Sequence, residues 1–124
     1  MTKEELIIIK LERAKKTFDT AQKVENGDWN SIANRLYYTV FYLATALLID
    51  LDLEYKSHSG AKNAFFLHFI KTRKMDLRFG ELYTNLLYLR QEGDYDDIVL
   101  DEIAVKPYFS QVEEFMDIVE LHLR

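Results

Sequence analysis

The sequence predicts an all-α fold, an antiparallel up-and-down bundle of four to five helices forming one domain over residues 1–124. Three observations predict it. Apolar residues recur at three- and four-residue steps nearly throughout. No stretch of five or more residues alternates apolar and polar positions with strand chemistry. The chain is 48% hydrophobic without a single Cys, and a chain this long buries about 65 to 70% of its unfolded surface, enough for a core without disulfide or metal staples.

Helix 1 is expected from Lys3 to Glu25, where Leu6, Ile9, Phe18, Ala21 and Val24 approximate one stripe and Asn26-Gly27 offers a stop able to take positive φ. Asp28 caps helix 2, which runs from Trp29 to Leu51 and spans about 30 Å at 1.5 Å per residue. Its main stripe is Trp29, Ile32, Leu36, Val40, Leu43 and Leu47, but Tyr37, Phe41 and Leu48 occupy a second side and Tyr38, Tyr42 and Ile49 a third. A helix that is apolar all round belongs at the centre of a bundle or between two copies of one.

Residues Asp50 to Lys56 form a loop, and Ser57 or His58 then caps helix 3, which continues to Thr72. Arg73 to Asp76 makes a turn. Helix 4 runs from Leu77 to Glu92 and ends at Gly93 as its C-terminal stop. Residues Asp94 to Lys106 are the longest connection, with Ile98 to Val105 apolar enough to pack but too short to assign. Pro107 opens helix 5, where its missing N–H costs nothing, and Phe109, Val112, Phe115, Met116, Val119 and Leu123 supply its apolar face.

The net charge of −5 hides an asymmetry. Residues 56–79 hold Lys56, Lys62, Lys71, Arg73, Lys74 and Arg78 against Asp76 alone, while acids are densest from Glu92 to Glu120. Such a basic stretch contacts phosphates, forms a solvated helix face, or meets the acidic third of a second copy. The absence of Cys excludes a thiolate nucleophile and a Cys-ligated zinc site, and with too short an apolar run for a signal sequence or a membrane span it makes the cytoplasm the expected location. Phosphate-cradling glycine loops, HExxH and GxSxG are missing, and His58, His68 and His122 are too scattered for a metal cage, so neither cofactor nor metal is expected. His68 reads as a hydrogen-bonded core or interface histidine and His122 as exposed.

Three short units carry the site chemistry. In the first, Asn34-Arg35-Leu36-Tyr37-Tyr38-Thr39-Val40-Phe41-Tyr42, a guanidinium sits on an otherwise apolar helix. Arg35 and Tyr42 fall within about 20° of each other around the axis, with Tyr38 between them, in one polar seam. An always-charged Arg35 there needs an acid, a carbonyl array or a ligand phosphate, and Asp94 is a candidate internal partner. The second unit, Leu89 to Asp96, spaces Arg90 and Asp94 four apart, a pair across a helix end, with Tyr95 beside it. The third, Tyr55 to Ala61, places His58 at a helix N-terminus, able to supply a proton beside N–H groups that welcome an anion.

Taken together, Asn-Arg-x-Tyr-Tyr-x-x-Phe on a long helix, His-Ser-Gly before the next and Leu-Arg-Gln-x-x-Asp-Tyr after the fourth resemble the HEPN domain family over about Lys3 to Leu123, closest to its stand-alone bacterial branch. The resemblance implies a dimerising helical bundle, often encoded beside a minimal nucleotidyltransferase as a toxin and antitoxin pair. It also implies that active members are metal-independent ribonucleases using an Arg and a His at the dimer cleft. Arg35 matches the family arginine, and Tyr42 stands where the His would fall. A phenol titrating near ~10 is a poor general base at neutral pH, though its hydroxyl still hydrogen-bonds a phosphate.

Three functions follow as expectations. The first is a homodimeric module that binds RNA or a nucleotide through Asn34, Arg35, Tyr38, Arg73, Lys74, Arg78, Arg90, Asp94 and Tyr95 and meets a nucleotidyltransferase. The second is a residual ribonuclease, with Arg35 holding phosphate and His58 or Tyr42 handling the proton. The third is a structural dimer or scaffold. Helix 2 is expected to supply part of the dimer interface through Tyr38, Tyr42 and Ile49.

Overall fold

The computed structural model describes residues 1–24, 27–95 and 97–124, and over these it is all-helical. Helix α1 (Lys3–Lys23) starts at Thr2, whose hydroxyl accepts from the Glu5 N–H, with Glu4 and Glu5 complementing the positive end of the helix dipole. The expected end at Glu25, and Asn26 of the expected stop, lie outside the described residues; Gly27 takes φ +66°, the left-handed conformation anticipated for it. Asp28 caps α2 (Trp29–Asp50) by accepting from the Ser31 N–H at 3.1 Å. Ser57, rather than His58, caps α3 (His58–Phe65), accepting from the Gly60 N–H at 2.9 Å.

Helix 3 does not continue as an α-helix to Thr72. After Phe65 it loosens into one π-helical turn, Phe66–Ile70, closed by the Lys71 N–H bonding the Phe66 carbonyl five residues back. Asp76 then caps α4 (Leu77–Gly93), accepting from the Arg78 N–H. The long connection contains one helical turn, α5 (Glu102–Val105), capped by Asp101, and Pro107 precedes α6 (Tyr108–His122) as its sequence position implied. Asp96 lies outside the described residues.

These elements form an antiparallel up-and-down bundle around α2, which packs against α1, α3, α4, α5 and α6. That arrangement explains why α2 is apolar all round: Leu36, Tyr37, Val40, Leu43, Ala44, Leu47 and Leu48 are each 1% exposed or less, and Ile49 is also buried. The apolar surface expected to face a second copy is therefore used mostly within the chain, with Tyr38, Phe41 and Tyr42 left half-buried. By length and composition α2 does qualify as a membrane span, contrary to the reading of its apolar runs, yet most of it is buried under its neighbours. The centre of the core is aromatic, with Phe65 meeting Phe69, Tyr83 and Phe115 at centroid distances of 5.6–5.8 Å.

Helix 4 ends at Gly93 as expected, though the glycine does not take a positive φ. It is the last residue of α4, and its missing side chain permits close approach, since a Cβ there would lie 3.3 Å from Leu100 Cδ1 and 3.6 Å from Asn30 Cα. Asn30, near the start of α2, fastens this corner. Its amide donates to the Gly93 carbonyl at 3.1 Å and the Ile98 carbonyl at 2.8 Å, and its oxygen accepts from the Leu100 N–H at 2.7 Å. Leu100 and Val105 are thereby buried while Val99 and Ile103 stay exposed, which resolves the unassigned stretch Ile98 to Val105.

Candidate functional site

One polar cluster forms where α2, the start of α3 and the end of α4 meet. Tyr37 is buried within α2, and its hydroxyl lies 2.8 Å from His58 Nδ1 at the first position of α3. The imidazole stacks on Phe41, one turn further along α2, at 4.2 Å with an interplanar angle of 15°, and meets Tyr38 edge-on at 5.6 Å. From α4, the Arg90 guanidinium sits 5.1 Å from the Tyr37 ring centre and 5.4 Å from that of Tyr38. A cation over aromatic faces is attracted by their quadrupoles, which offsets part of the cost of holding a guanidinium in a partly desolvated place.

Arg90 Nε is shut off from solvent with no hydrogen-bond partner among the described residues, and Asp94 Oδ2 lies 3.7 Å away, completing the anticipated pair across the end of α4. Burial pushes the Tyr37 phenol up to about 12, a rise that Arg90 partly opposes, so its hydroxyl keeps its proton at neutral pH. Burial first, and the Arg90 charge second, hold His58 below the ordinary histidine range. Deeper still, Tyr83 is fully buried, its hydroxyl has no hydrogen-bond partner among the described residues, and burial raises its pKa as well.

Arg35 does not join this cluster. It is half-buried, and its guanidinium bonds back to Ser31 on its own helix, at 2.9 Å to the hydroxyl and 3.3 Å to the carbonyl. No described acid pairs with it, and Asp94, its candidate partner, pairs with Arg90 instead. Tyr42 turns toward α1, with Lys10 Nζ 5.9 Å from its ring centre. The supposed seam is therefore divided, although Tyr38 lies between its parts, 6.1 Å from Tyr42 and 5.6 Å from His58. Asn34 is half-buried one turn before Tyr38.

The other candidate residues fall in two places. Asp94 and Tyr95 are exposed beside the cluster, lining a groove of about 550 Å³ with Tyr88, Gln91 and Glu92. Arg73 and Lys74 are exposed at the opposite end of α3 and its π-helical turn, where Arg73 takes φ +61°. Arg78 forms an ion pair with Glu114 of α6 and so is a structural contact at the surface. His68 is half-buried without a side-chain hydrogen bond among the described residues, unlike the hydrogen-bonded histidine expected, and His122 is exposed against the edge of Phe69.

Tyr37 and Phe41 were not read as site residues, because each looked like core on its own. Their signal was the four-residue spacing that presents two rings to one ligand, but only the return of α3 shows that the ligand is His58. Among the described residues no three His, Asp or Glu side chains converge as a metal site would require.

A helical bundle organised around a long apolar helix, with an Arg–His–Tyr cluster at one end, defines the class of small helical modules to which the sequence motifs pointed. The chain belongs to the HEPN domain family, whose profile matches residues 9–122. It is similar to a UPF0332 protein of Thermotoga maritima, with 35% identity over 95% of this chain and 91% of that one. Two proteins of Methanocaldococcus jannaschii that carry the name "Putative toxin" are also similar, one 33% identical over 69% of this chain and 59% of its own length, the other 28% identical over 81% and 75%.

Proposed function

We propose that this HEPN module is toxin-like, acts as a homodimer, and binds RNA or a nucleotide at the Arg90–His58 cluster, partnered by a minimal nucleotidyltransferase antitoxin. The names of the archaeal relatives support the toxin-like part. The observation that carries the ligand site is the Arg90 guanidinium, held over two tyrosine rings with its side chain about one-quarter exposed, beside the His58 ring that is bonded to Tyr37. A preorganised guanidinium is the side chain best matched to a phosphate, and exposed Tyr88 and Tyr95 offer rings on which bases stack. Partner and dimer rest on the family resemblance and on the exposed apolar residues Val99 and Ile103.

The test measures binding of a mixed single-stranded RNA pool at two salt concentrations, with sedimentation of the protein alone and co-purification with a co-expressed nucleotidyltransferase encoded beside it. Binding that weakens steeply with salt, a dimer, and a stable complex are expected. No binding at low salt contradicts the ligand site, and a monomer at 100-fold above the binding concentration contradicts the dimer. Cleavage by wild type is expected to be weak or absent. Activity gained by Tyr42→His would instead favour the ribonuclease reading based on Arg35.

A further inference from the structure

We propose that Tyr37 fixes His58 as a neutral hydrogen-bond donor with its proton on Nε2, and that this N–H and the Arg90 guanidinium together hold a single phosphate. The proposal rests on the reading of this cluster as a nucleic-acid or nucleotide site and assigns His58 its part there.

The tautomer follows from counting acceptors. The Tyr37 hydroxyl has one proton to place and is only 1% exposed, so bulk water does not take it. Among the described residues the one acceptor within hydrogen-bond distance is His58 Nδ1, at 2.8 Å. Tyr83, whose ring lies 6.2 Å from that of Tyr37, has no hydrogen-bond partner among the described residues and so does not accept from Tyr37. The Tyr37 O–H therefore donates to Nδ1, and a neutral imidazole that accepts at one nitrogen carries its proton on the other.

The ring is held in that pose by the Phe41 stack and the Tyr38 edge. Nε2 has no described hydrogen-bond partner and is not among the buried unpartnered atoms, so it reaches the surface.

The groups facing the imidazole are Tyr37 and Tyr38 from α2 and Arg90 from α4, with Asp94 behind Arg90. Of these, Arg90 is the charge that acts most directly on His58, and it disfavours a second cation beside it. A neutral N–H next to a guanidinium presents donors only, which suits a phosphate oxygen and repels cations. The same arrangement excludes a general-base role, since Nε2–H has no lone pair with which to take a proton from a ribose hydroxyl.

The experiment is 15N–1H spectroscopy of the full chain with labelled histidine, slightly above neutral pH. His58 is expected to show a protonated Nε2 and an unprotonated Nδ1, with Tyr37→Phe giving a mixture of tautomers; a protonated Nδ1 in wild type overturns the proposal. Added inorganic phosphate is expected to move the Nε2–H resonance in wild type and not in Arg90→Ala, and absence of any shift in wild type overturns the phosphate assignment. RNA binding supplies a second readout.

In His58→Gln the amide stands where Nε2–H stands, whereas in His58→Asn it stands where Nδ1 stands and keeps the Tyr37 bond. Gln is expected to bind within about twofold of wild type and Asn about tenfold more weakly, the loss of one hydrogen bond to a charged acceptor. Equal binding by all three overturns this inference and leaves the RNA-binding reading standing. Failure of wild type to bind RNA, with tautomer and phosphate shift as expected, removes that reading alone.

Discussion

Replacing Asn30 by Ala removes the side chain that ties the start of α2 to the end of α4 and to the segment leading into α5. Three hydrogen bonds are lost, to the Gly93 and Ile98 carbonyls and from the Leu100 N–H, in a half-buried corner. At about 1 kcal/mol net for each bond the cost is about 3 kcal/mol, and water reaching the freed groups lowers it while any group left dry raises it. For a domain with a urea dependence of about 2 kcal/mol/M, the unfolding midpoint falls by about 1.5 M without a large change in slope. Urea denaturation followed by circular dichroism measures this, and amide exchange at Leu100 should accelerate with it. Asn30→Asp keeps the acceptor for Leu100 but aims a carboxylate at two carbonyl oxygens, so it should be at least as destabilising as Ala. A midpoint within about 0.25 M of wild type for Asn30→Ala, worth about 0.5 kcal/mol, would refute the view that this side chain fastens the corner.

Phe65→Ala empties the centre of the aromatic core, where Phe65 is fully buried, and should cost about 3 to 5 kcal/mol in the same assay. Arg35→Ala should cost less than about 1 kcal/mol, because its bonds reach only Ser31 on its own helix; a loss of several kcal/mol would mean that a buried partner has been left unpaired. His58 is held below the ordinary histidine range, so the unfolded chain binds its proton more readily than the folded one. Its contribution to stability is present above about pH 6.5 and is lost as pH falls through the lower folded value. Stability measured from pH 7.5 to 5 should fall more steeply for wild type than for His58→Asn, and parallel curves would contradict this.

Much of the fold was written in short-range patterns. Asp28 before α2, Pro107 before α6 and the helical periodicity of the chain all act within a few residues, and the structure keeps them. What the sequence concealed depends on neighbours distant along the chain. Gly93 ends α4 as expected but is also a contact point for Asn30 and Leu100, while helix 3 changes to π-helical winding at Phe66 without a Pro or Gly to mark the place. The site divides in the same way. The Arg90–Asp94 pair obeys a four-residue rule and was visible. The guanidinium most conspicuous in the sequence, Arg35, bonds only its own helix among the described residues, whereas the one beside His58 comes from a helix more than thirty residues further on.

In the proposed site Arg90, not Arg35, is the phosphate-binding arginine. Fluorescence anisotropy of a mixed single-stranded RNA across a salt series, with wild type, Arg90→Ala and Arg35→Ala, tests it most directly. Arg90→Ala is expected to bind at least about tenfold more weakly at low salt and to reduce the slope of log affinity against log salt by about 0.7, with Arg35→Ala close to wild type in both. The reverse order, with Arg35→Ala losing affinity and slope while Arg90→Ala keeps them, would place the phosphate at Arg35 and contradict the Arg90 site.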